Sequence, residues 1–318
     1  MSLHLCFELE PSQSVKILVL GAGATGGYFG GRLLEAGADV TFLVRPGRAE
    51  QLRRDGLKVQ SRFGSIDIAN LSFLEQVDSH FDLIILSCKA YDLDSAIESI
   101  APAVGSESMV LPLLNGMQHL DVLTQRFGEE CVLGGCCVIS SALDGQGQII
   151  HLNANHSLRY GELSGVMSER LQELEEIISP CNFTSEASFA FVQDMWEKWV
   201  LIASLAALTS LMRASIGEVA RSPFGLQIAE ALTTECLSIL RAYGFEPQQS
   251  FVDALYARTL DKSSTLTASM LRDIEQGNRV EGKQILGDFI DKAMARDLSV
   301  PLLQTAYCHV SAYQLRRG

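Results

Sequence analysis

The chain has 318 residues, of which 47% are hydrophobic and 20% charged, and its formal net charge is -13. This length and composition indicate a globular protein of two domains with buried cores. The acidic balance argues against nucleic acid as a partner, because an acidic surface repels a phosphate backbone.

The cysteines and the N-terminus indicate a cytoplasmic protein. The 8 cysteines include no CxxC pair and no cluster with the spacing of zinc ligands, so we expect reduced thiols and no metal site. The first residues lack the basic start of a signal peptide, and Glu8 and Glu10 interrupt a short apolar stretch. The longest apolar run, from Trp199 to Met212, is too short for a membrane span and predicts a buried helix.

Strands and helices alternate through the first half of the chain. The predicted strands lie at 15–20, 40–44, 57–60, 65–69, 81–87, 108–114, 131–139 and 148–151, and the predicted helices at 26–36, 92–101 and 120–127. This alternation is typical of an α/β Rossmann domain, in which helices cover both faces of an open, mostly parallel sheet.

The second half is almost entirely helical by its apolar spacing. The predicted helices lie at 188–212, 225–243, 248–260, 266–276 and 280–296. The sequence therefore predicts a Rossmann domain over residues 1–186, followed by an all-α helical domain over residues 187–318.

A G-x-G-x-x-G loop directly follows the first predicted strand and begins the first predicted helix, which is the context that gives this motif its meaning. The loop consists of Gly21, Ala22, Gly23, Ala24, Thr25 and Gly26. The three glycines permit a tight turn, close approach to a pyrophosphate, and close packing of helix on strand. The helix N-terminus would add N–H groups and a positive dipole for phosphates. A glycine-rich turn without a ligand is the alternative.

Arg45 ends the second predicted strand, at the place where an NAD-binding protein usually has Asp or Glu. A guanidinium suits a 2′-phosphate, so the sequence predicts NADPH rather than NADH. The alternative is that Arg45 is only a solvated loop charge. Lys89 follows the strand at 81–87 at the same edge of the sheet, and on sequence alone its role as a second phosphate contact is an open question.

Five segments together resemble a known family. GAGATGGYFGGRL, SCKAYD, LLNGM, WEKW and SMLRDIEQGNRVEG occur in the order of the landmarks of ketopantoate reductases, and the resemblance covers about residues 15–310. It implies NADPH-dependent reduction of 2-dehydropantoate to (R)-pantoate, a step toward pantothenate and coenzyme A. It also implies a Rossmann domain followed by a helical substrate and catalytic domain, with the active site between them.

The resemblance assigns roles to single residues. Lys198 matches the proton donor, and Asn115 matches the asparagine beside the nicotinamide and the substrate. Ser269 and Glu281 match residues of the substrate pocket. Glu281 could hold the ammonium of Lys198 or accept a hydrogen bond from a substrate hydroxyl. The resemblance also makes Lys89, together with the arginine after the second strand, a contact of the cofactor phosphates.

Each of these residues also has an ordinary structural explanation. Lys198 lies between two tryptophans and could be an amphipathic residue with its ammonium at the surface. Asn115 precedes a glycine and could serve only a turn. Glu281 could be a solvated acid in the first turn of a helix, and Ser269 a plain helical serine.

The chain departs from the family where pantoate-forming members have two asparagines. Ile202 and Ala206 occupy these positions, on the same helix face as Lys198. An apolar pocket discriminates hydroxyl groups weakly, so the substrate could instead be a more apolar 2-oxoacid. Other hydroxyacid or polyol-phosphate dehydrogenases and a non-catalytic, redox-sensing NADP(H)-binding protein are further alternatives. We expect a small-molecule 2-oxoacid as partner, no nucleic acid or membrane, and a homodimer as the candidate assembly state.

Overall fold

The computed structural model describes residues 15–317, so the prediction about a signal peptide concerns residues outside this range. The strands are β1 (Lys16–Leu20), β2 (Asp39–Leu43), β3 (Leu57–Gln60), β4 (Ile66–Ile68), β5 (Ser72–Leu74), β6 (Leu83–Leu86), β7 (Met109–Pro112), β8 (Gly134–Leu143), β9 (Ile149–Gly161) and β10 (Thr184–Ala187). The helices are α1 (Ala24–Glu35), α2 (Pro46–Asp55), α3 (Leu93–Ile100), α4 (Gln118–Phe127), α5 (Glu169–Ile178), α6 (Phe191–Met212), α7 (Ile216–Arg221), α8 (Gly225–Ala242), α9 (Gln249–Thr259), α10 (Ser269–Glu275), α11 (Asp288–Met294) and α12 (Pro301–Arg317). A π-helical turn at Lys283–Gly287 precedes α11.

The first sheet is parallel and has the strand order β5-β2-β1-β6-β7. Its central strands are apolar on both faces, and Ile17, Leu18 and Val19 of β1 are fully buried. The chain passes from β1 to β2 on one side, and β6 adds on the other side. Ligands bind at such a switch point of strand order, outside the carboxyl ends of the strands. The predicted Rossmann architecture is confirmed.

A second sheet has the order β10-β9-β3-β4, with β8 antiparallel to β9. The predicted strands at 57–60, 65–69, 131–139 and 148–151 belong to this sheet rather than to the parallel one. The reason is a long hairpin: β8 and β9 pair from Gly134↔Gly161 to Leu143↔Ile149, and β9 then pairs with β3 in parallel. The expectation of one open sheet is therefore corrected to two.

The helical half is organised around α6, which packs against α8, α12 and α10. This helix has the length and composition of a membrane span, but 67% of its most apolar window is buried inside the fold. The prediction of a buried helix is confirmed. The indole N–H of Trp199 donates to the carbonyl oxygen of Ile285 at 2.9 Å, which joins α6 to the π-helical turn.

Several elements have no counterpart among the predictions, namely α2, α5, α7, α12, β5 and β10. Helix α2 begins at Pro46, a residue suited to a first helical position, but only Ala49 and Leu52 in it are buried. So few buried residues give almost no apolar period to detect. The predicted domain boundary at 186 falls within β10, and the described chain has only helices from α6 onward.

Candidate active site

The glycine loop has the geometry of a ligand cradle. Gly21 has φ +89°, and a Cβ there would lie 2.9 Å from the carbonyl oxygen of Ser87. A Cβ on Gly26 would lie 2.3 Å from the carbonyl oxygen of Gly21, so packing requires glycine at both positions. Gly23, the N-cap of α1, has no atom within 4 Å of its Cβ position. The backbone at the N-terminus of α1 is therefore open to a phosphate.

A groove of about 730 Å³ runs past this loop at the carboxyl end of β1, within the size range of cofactor sites. Its lining includes Gly21, Ala22, Gly23, Val44, Arg45, Arg48, Ser87 and Cys88. Ala24 and Thr25 follow as the first residues of α1. These residues fit a dinucleotide, because the groove combines open backbone N–H groups with guanidinium groups on its rim.

Two arginines border the groove. Arg45 is the N-cap of α2 with a side chain 78% exposed, and its Nη2 lies 3.1 Å from Oδ2 of Asp92. Arg48 donates from Nε to the carbonyl oxygen of Ala22 at 3.0 Å and from Nη1 to that of Gly147 at 2.8 Å. Burial lowers the pKa of Arg48. Sequence reasoning gave Arg48 no role, since its contact with the glycine loop depends on α2.

Glu281 joins the helical half to the loop after β6. It is 6% exposed, and its Oε1 accepts a hydrogen bond from the backbone N–H of Ala90 at 2.9 Å. The Nζ of Lys89 lies 3.4 Å from Oε2 of Glu281 and 3.2 Å from Oδ2 of Asp273. Burial opposes the charge of Lys89, but the two carboxylates outweigh it and raise the pKa of this lysine.

This arrangement differs from two expectations. The ammonium that Glu281 holds in this structure is that of Lys89, and not that of Lys198. Lys89 lies at the contact between the two halves, outside the lining of the groove, so its predicted contact with a cofactor phosphate would require its side chain to move.

Asn115 lies in the loop after β7 and is half-buried. The next residue, Gly116, has φ +81°, and a Cβ there would lie 2.9 Å from the carbonyl oxygen of Gln284. Only glycine permits this close approach of the loop to the π-helical turn. This approach brings Asn115 to the contact between the two halves. Glu281, which is three residues before Gln284 in the sequence, lies at the same contact.

Lys198 is a half-buried residue of α6. Its Nζ is buried and has no hydrogen-bond partner within residues 15–317. Burial and then the charge of Lys198 lower the pKa of His119 to about 3. Burial raises the pKa of Cys136, and the charge of Lys198 opposes that rise. Lys198 also lines a second groove of about 370 Å³ between the second sheet and α6 and α9. His119 was missed by the sequence analysis.

Three predicted substrate residues lie outside both grooves. Ser269 is the exposed first residue of α10. Ile202 is half-buried against the helical core, and Ala206 is 2% exposed within that core. Burial explains why an apolar residue is stable at position 206. Contact of these three residues with a substrate stays a prediction.

Comparison with known families gives a match to both halves of the chain. The model described as Ketopantoate reductase PanE/ApbA matches residues 17–165, and the one described as Ketopantoate reductase PanE/ApbA C terminal matches residues 190–314. The chain belongs to the ketopantoate reductase family. The resemblance found in the sequence motifs is thereby confirmed, and the protein is an oxidoreductase of this family.

Two relatives show how far the similarity to ketopantoate reductases extends. Uncharacterized oxidoreductase YkpB of Bacillus subtilis (strain 168) is 37% identical over 303 residues, covering 95% of this chain and 100% of that protein. A 2-dehydropantoate 2-reductase of Archaeoglobus fulgidus is 27% identical over 281 residues, covering 87% of this chain and 90% of that protein.

Solved structures share the fold of this ketopantoate reductase family member. A 2-dehydropantoate 2-reductase from Geobacter metallireducens GS-15 has a TM-score of 0.86 at 23% identity, covering 94% of this chain and 99% of that chain. A D-mandelate dehydrogenase, solved with NADH and anilino(oxo)acetate, has a TM-score of 0.85 at 20% identity, covering 95% and 99%. The fold is common to enzymes with different substrates.

Proposed function

We propose that the protein reduces 2-dehydropantoate to (R)-pantoate with NADPH and that Lys198 is the proton donor. The observation that carries this proposal is the buried Nζ of Lys198, which has no hydrogen-bond partner within the described chain. A buried ammonium without a partner is costly, so a fold keeps one chiefly where a ligand completes its hydrogen bonds.

The reaction follows from the residue types. When bound, the reduced nicotinamide supplies the hydride that goes to the ketone carbon. Negative charge then develops on the carbonyl oxygen, which the ammonium of Lys198 stabilises before it transfers a proton there. The amide of Asn115 orients the reacting groups.

Cofactor choice rests on Arg45. Its exposed guanidinium borders the groove that passes Gly23, and its pairing with Asp92 is a surface ion pair. Such pairs contribute little, so a 2′-phosphate, with more charge and more acceptor oxygens, would replace the carboxylate. In our proposal Lys89 also reaches a phosphate, and it must then leave Glu281.

The decisive experiment follows the loss of NADPH absorbance with 2-dehydropantoate for the wild type, Lys198→Ala and Lys262→Ala. Lys262 is an exposed lysine of the helical half and serves as the matched control. General acid catalysis contributes about 10²–10⁴-fold, so kcat of Lys198→Ala should fall by that factor while Lys262→Ala keeps the wild-type rate. NADPH binding without turnover of any 2-oxoacid would instead favour a redox-sensing protein.

A second candidate is the reduction of a more apolar 2-oxoacid. Ile202 and Ala206 favour it, because neither residue can hydrogen-bond a substrate hydroxyl. A fold shared with a D-mandelate dehydrogenase does not decide between the two substrates. Values of kcat/KM across 2-oxoacids of increasing apolar area distinguish them: a clear maximum at 2-dehydropantoate supports the first candidate, and a maximum at an aryl or branched-chain 2-oxoacid supports the second.

We further propose a cytoplasmic homodimer with a small-molecule partner only, and a functional division of the chain near residue 186. The acidic charge of -13 supports the absence of nucleic acid, and the burial of α6 supports its role as a core helix. Light scattering coupled to gel filtration tests the assembly state directly.

A further inference from the structure

Arg48 connects three segments of the cofactor-binding half, and the reaction proposed above gives it no role. It lies in the first turn of α2 and lines the cofactor groove. Its Nε donates to the carbonyl oxygen of Ala22 in the glycine loop at 3.0 Å. Its Nη1 donates to the carbonyl oxygen of Gly147 at 2.8 Å and to Oε1 of Gln51 at 2.6 Å. These three hydrogen bonds form a clamp between the glycine loop, α2 and the loop that joins β8 to β9.

The loop at residues 144–148 is a firm partner for this clamp. Oδ1 of Asp144 accepts hydrogen bonds from the backbone N–H groups of Gln146 at 2.9 Å and Gln148 at 2.8 Å, which holds the loop in one conformation. Leu143, the last residue of β8, lines the cofactor groove. The β8–β9 hairpin therefore forms one wall of the groove, and the clamp ties that wall to the glycine loop.

The charge of the Arg48 guanidinium has no counterion among residues 15–317. Its three acceptors are neutral carbonyl and amide oxygens, and burial alone, with no opposing carboxylate, lowers its pKa. A guanidinium has five N–H donors, and the two on Nη2 are buried without a partner in the same range. Burying an uncompensated charge is costly, so this arrangement favours an anionic ligand in the adjoining groove.

The hydrogen bond to Ala22 also fixes the peptide that follows it. The Ala22–Gly23 peptide is planar and trans, so the carbonyl group of Ala22 and the N–H group of Gly23 point in opposite directions. When Arg48 holds the carbonyl group, it therefore sets the direction of the N–H group as well. This N–H group has no hydrogen-bond partner in the part of the chain that the structure describes. Gly23 is the N-cap of α1, where free N–H groups bind phosphates.

We propose that Arg48 is a positioning residue of the cofactor site, which directs the N–H group of Gly23 at the pyrophosphate of the dinucleotide. Its hydrogen bond to Gly147 holds the wall of the groove against the same loop. The inference rests on the proposed function, in which this groove binds NADPH. The pyrophosphate is common to NADPH and NADH, whereas the 2′-phosphate assigned to Arg45 occurs only in NADPH. The two arginines therefore predict different patterns of lost affinity.

Hydrogen exchange of the unliganded protein tests the clamp without a cofactor. Mass spectrometry compares peptides over residues 20–27 and 144–150 in the wild type, Arg48→Met and Arg54→Met, and peptides of α8 report whether each variant is folded. Arg54 is an exposed arginine of the same helix that donates to Asp55, so it is the matched control. Exchange should become several-fold faster in both segments of Arg48→Met alone. Unchanged exchange in either segment would overturn the clamp.

Cofactor affinity tests the effect of the clamp on binding. Cofactor fluorescence gives Kd for NADPH and NADH in the same proteins and in Arg48→Lys. Arg48→Met should weaken both cofactors equally, by at least about tenfold, because it loses hydrogen bonds of a charged group. Arg48→Lys should stay nearly as weak, since an ammonium keeps the charge but lacks the fork that spans two carbonyl oxygens. Unchanged affinity in Arg48→Met, full recovery in Arg48→Lys, or a loss confined to NADPH would refute the positioning role.

Turnover separates this inference from the proposed function. With a 2-oxoacid that the wild type reduces, KM for NADPH should rise in Arg48→Met while kcat at saturating NADPH stays near the wild-type value. A kcat that falls as far as kcat/KM would contradict a role in cofactor binding. A wild type that binds neither NADPH nor NADH would contradict the proposed function, and with it the role of Arg48 toward the pyrophosphate, even if the exchange data confirm the clamp.

Discussion

Acidification should destabilise this protein through His119. Burial, and then the charge of Lys198, lower the pKa of this imidazole to about 3, so it stays neutral in the folded state. In the unfolded chain it takes up a proton near its ordinary value of about 6.5. Because the unfolded state then binds more protons, the stability is full above that pH and decreases as the pH falls through it. His156 should also lower the stability on acidification, since burial and then the charges of His151 and Arg32 lower its pKa in the folded state.

The stability that protonation of His119 in the unfolded chain removes does not depend on the native pKa of His119, provided that this pKa is low. At about pH 5, protonation stabilises an unfolded imidazole with a pKa of about 6.5 by about 2 kcal/mol, which lowers the free energy of unfolding by that amount. Any native pKa below about 4 gives the same loss, because the folded imidazole then stays neutral at this pH. At about pH 7.5 the same contribution is close to zero. Two kcal/mol is a large part of the roughly 5–15 kcal/mol by which folded proteins are stable.

The assay is urea unfolding at about pH 7.5 and about pH 5 for the wild type, His119→Gln and His80→Gln, because slopes and midpoints give the unfolding free energy at each pH. Replacing His119 removes its titration. The decrease in unfolding free energy from about pH 7.5 to about pH 5 should therefore be smaller by about 2 kcal/mol in His119→Gln than in the wild type. His80 is exposed, and its replacement should leave the loss unchanged. An equal loss in His119→Gln and wild type would refute the reasoning.

Three further outcomes are expected. Arg45→Ser should weaken NADPH binding at least about tenfold more than NADH binding, as measured by cofactor fluorescence. Equal weakening of NADPH and NADH binding would show that Arg45 does not bind a 2′-phosphate. Gly26→Ala should abolish NADPH binding and lower Tm, since its Cβ would lie 2.3 Å from Gly21 oxygen, while Gly47→Ala, with open space around its Cβ, should not. Ile202→Asn should lower KM for 2-dehydropantoate several-fold if this position lines the substrate pocket, and an unchanged KM would place it outside.

The glycine loop was accessible to sequence reasoning because all its parts are contiguous. A strand, three glycines and a helix follow one another within about twenty residues, and local sterics define the role of each glycine. Arg45 was equally accessible, since it closely follows the next strand in the sequence. The types of many elements also followed from apolar period, but several lengths did not: the strand predicted at 148–151 is β9 (Ile149–Gly161), and the helix predicted at 280–296 is a π-helical turn followed by α11.

Long-range pairing was beyond such reasoning. Val59 pairs with Ile149 across the chain, and no local pattern tells a strand which sheet it joins, so one sheet was expected where two occur. The contact of Glu281 with Lys89 spans 192 positions of sequence. His119 was missed because a single histidine in an amphipathic helix carries no signal until its neighbours on β8 and α6 are known.

In the proposed function, the ion pair between Lys89 and Glu281 links ligand binding at the two halves of the site. One ammonium, with three N–H donors, serves Asp273, Glu281 and, in the proposed function, a phosphate. A ligand that draws Lys89 away leaves Glu281 with the backbone N–H of Ala90 as its remaining described donor, and so changes the affinity of Glu281 for any second ligand. By reciprocity the second ligand changes the affinity for the first by the same factor. Whether the two affinities reinforce or oppose each other then depends on one lysine that need not touch the reacting atoms.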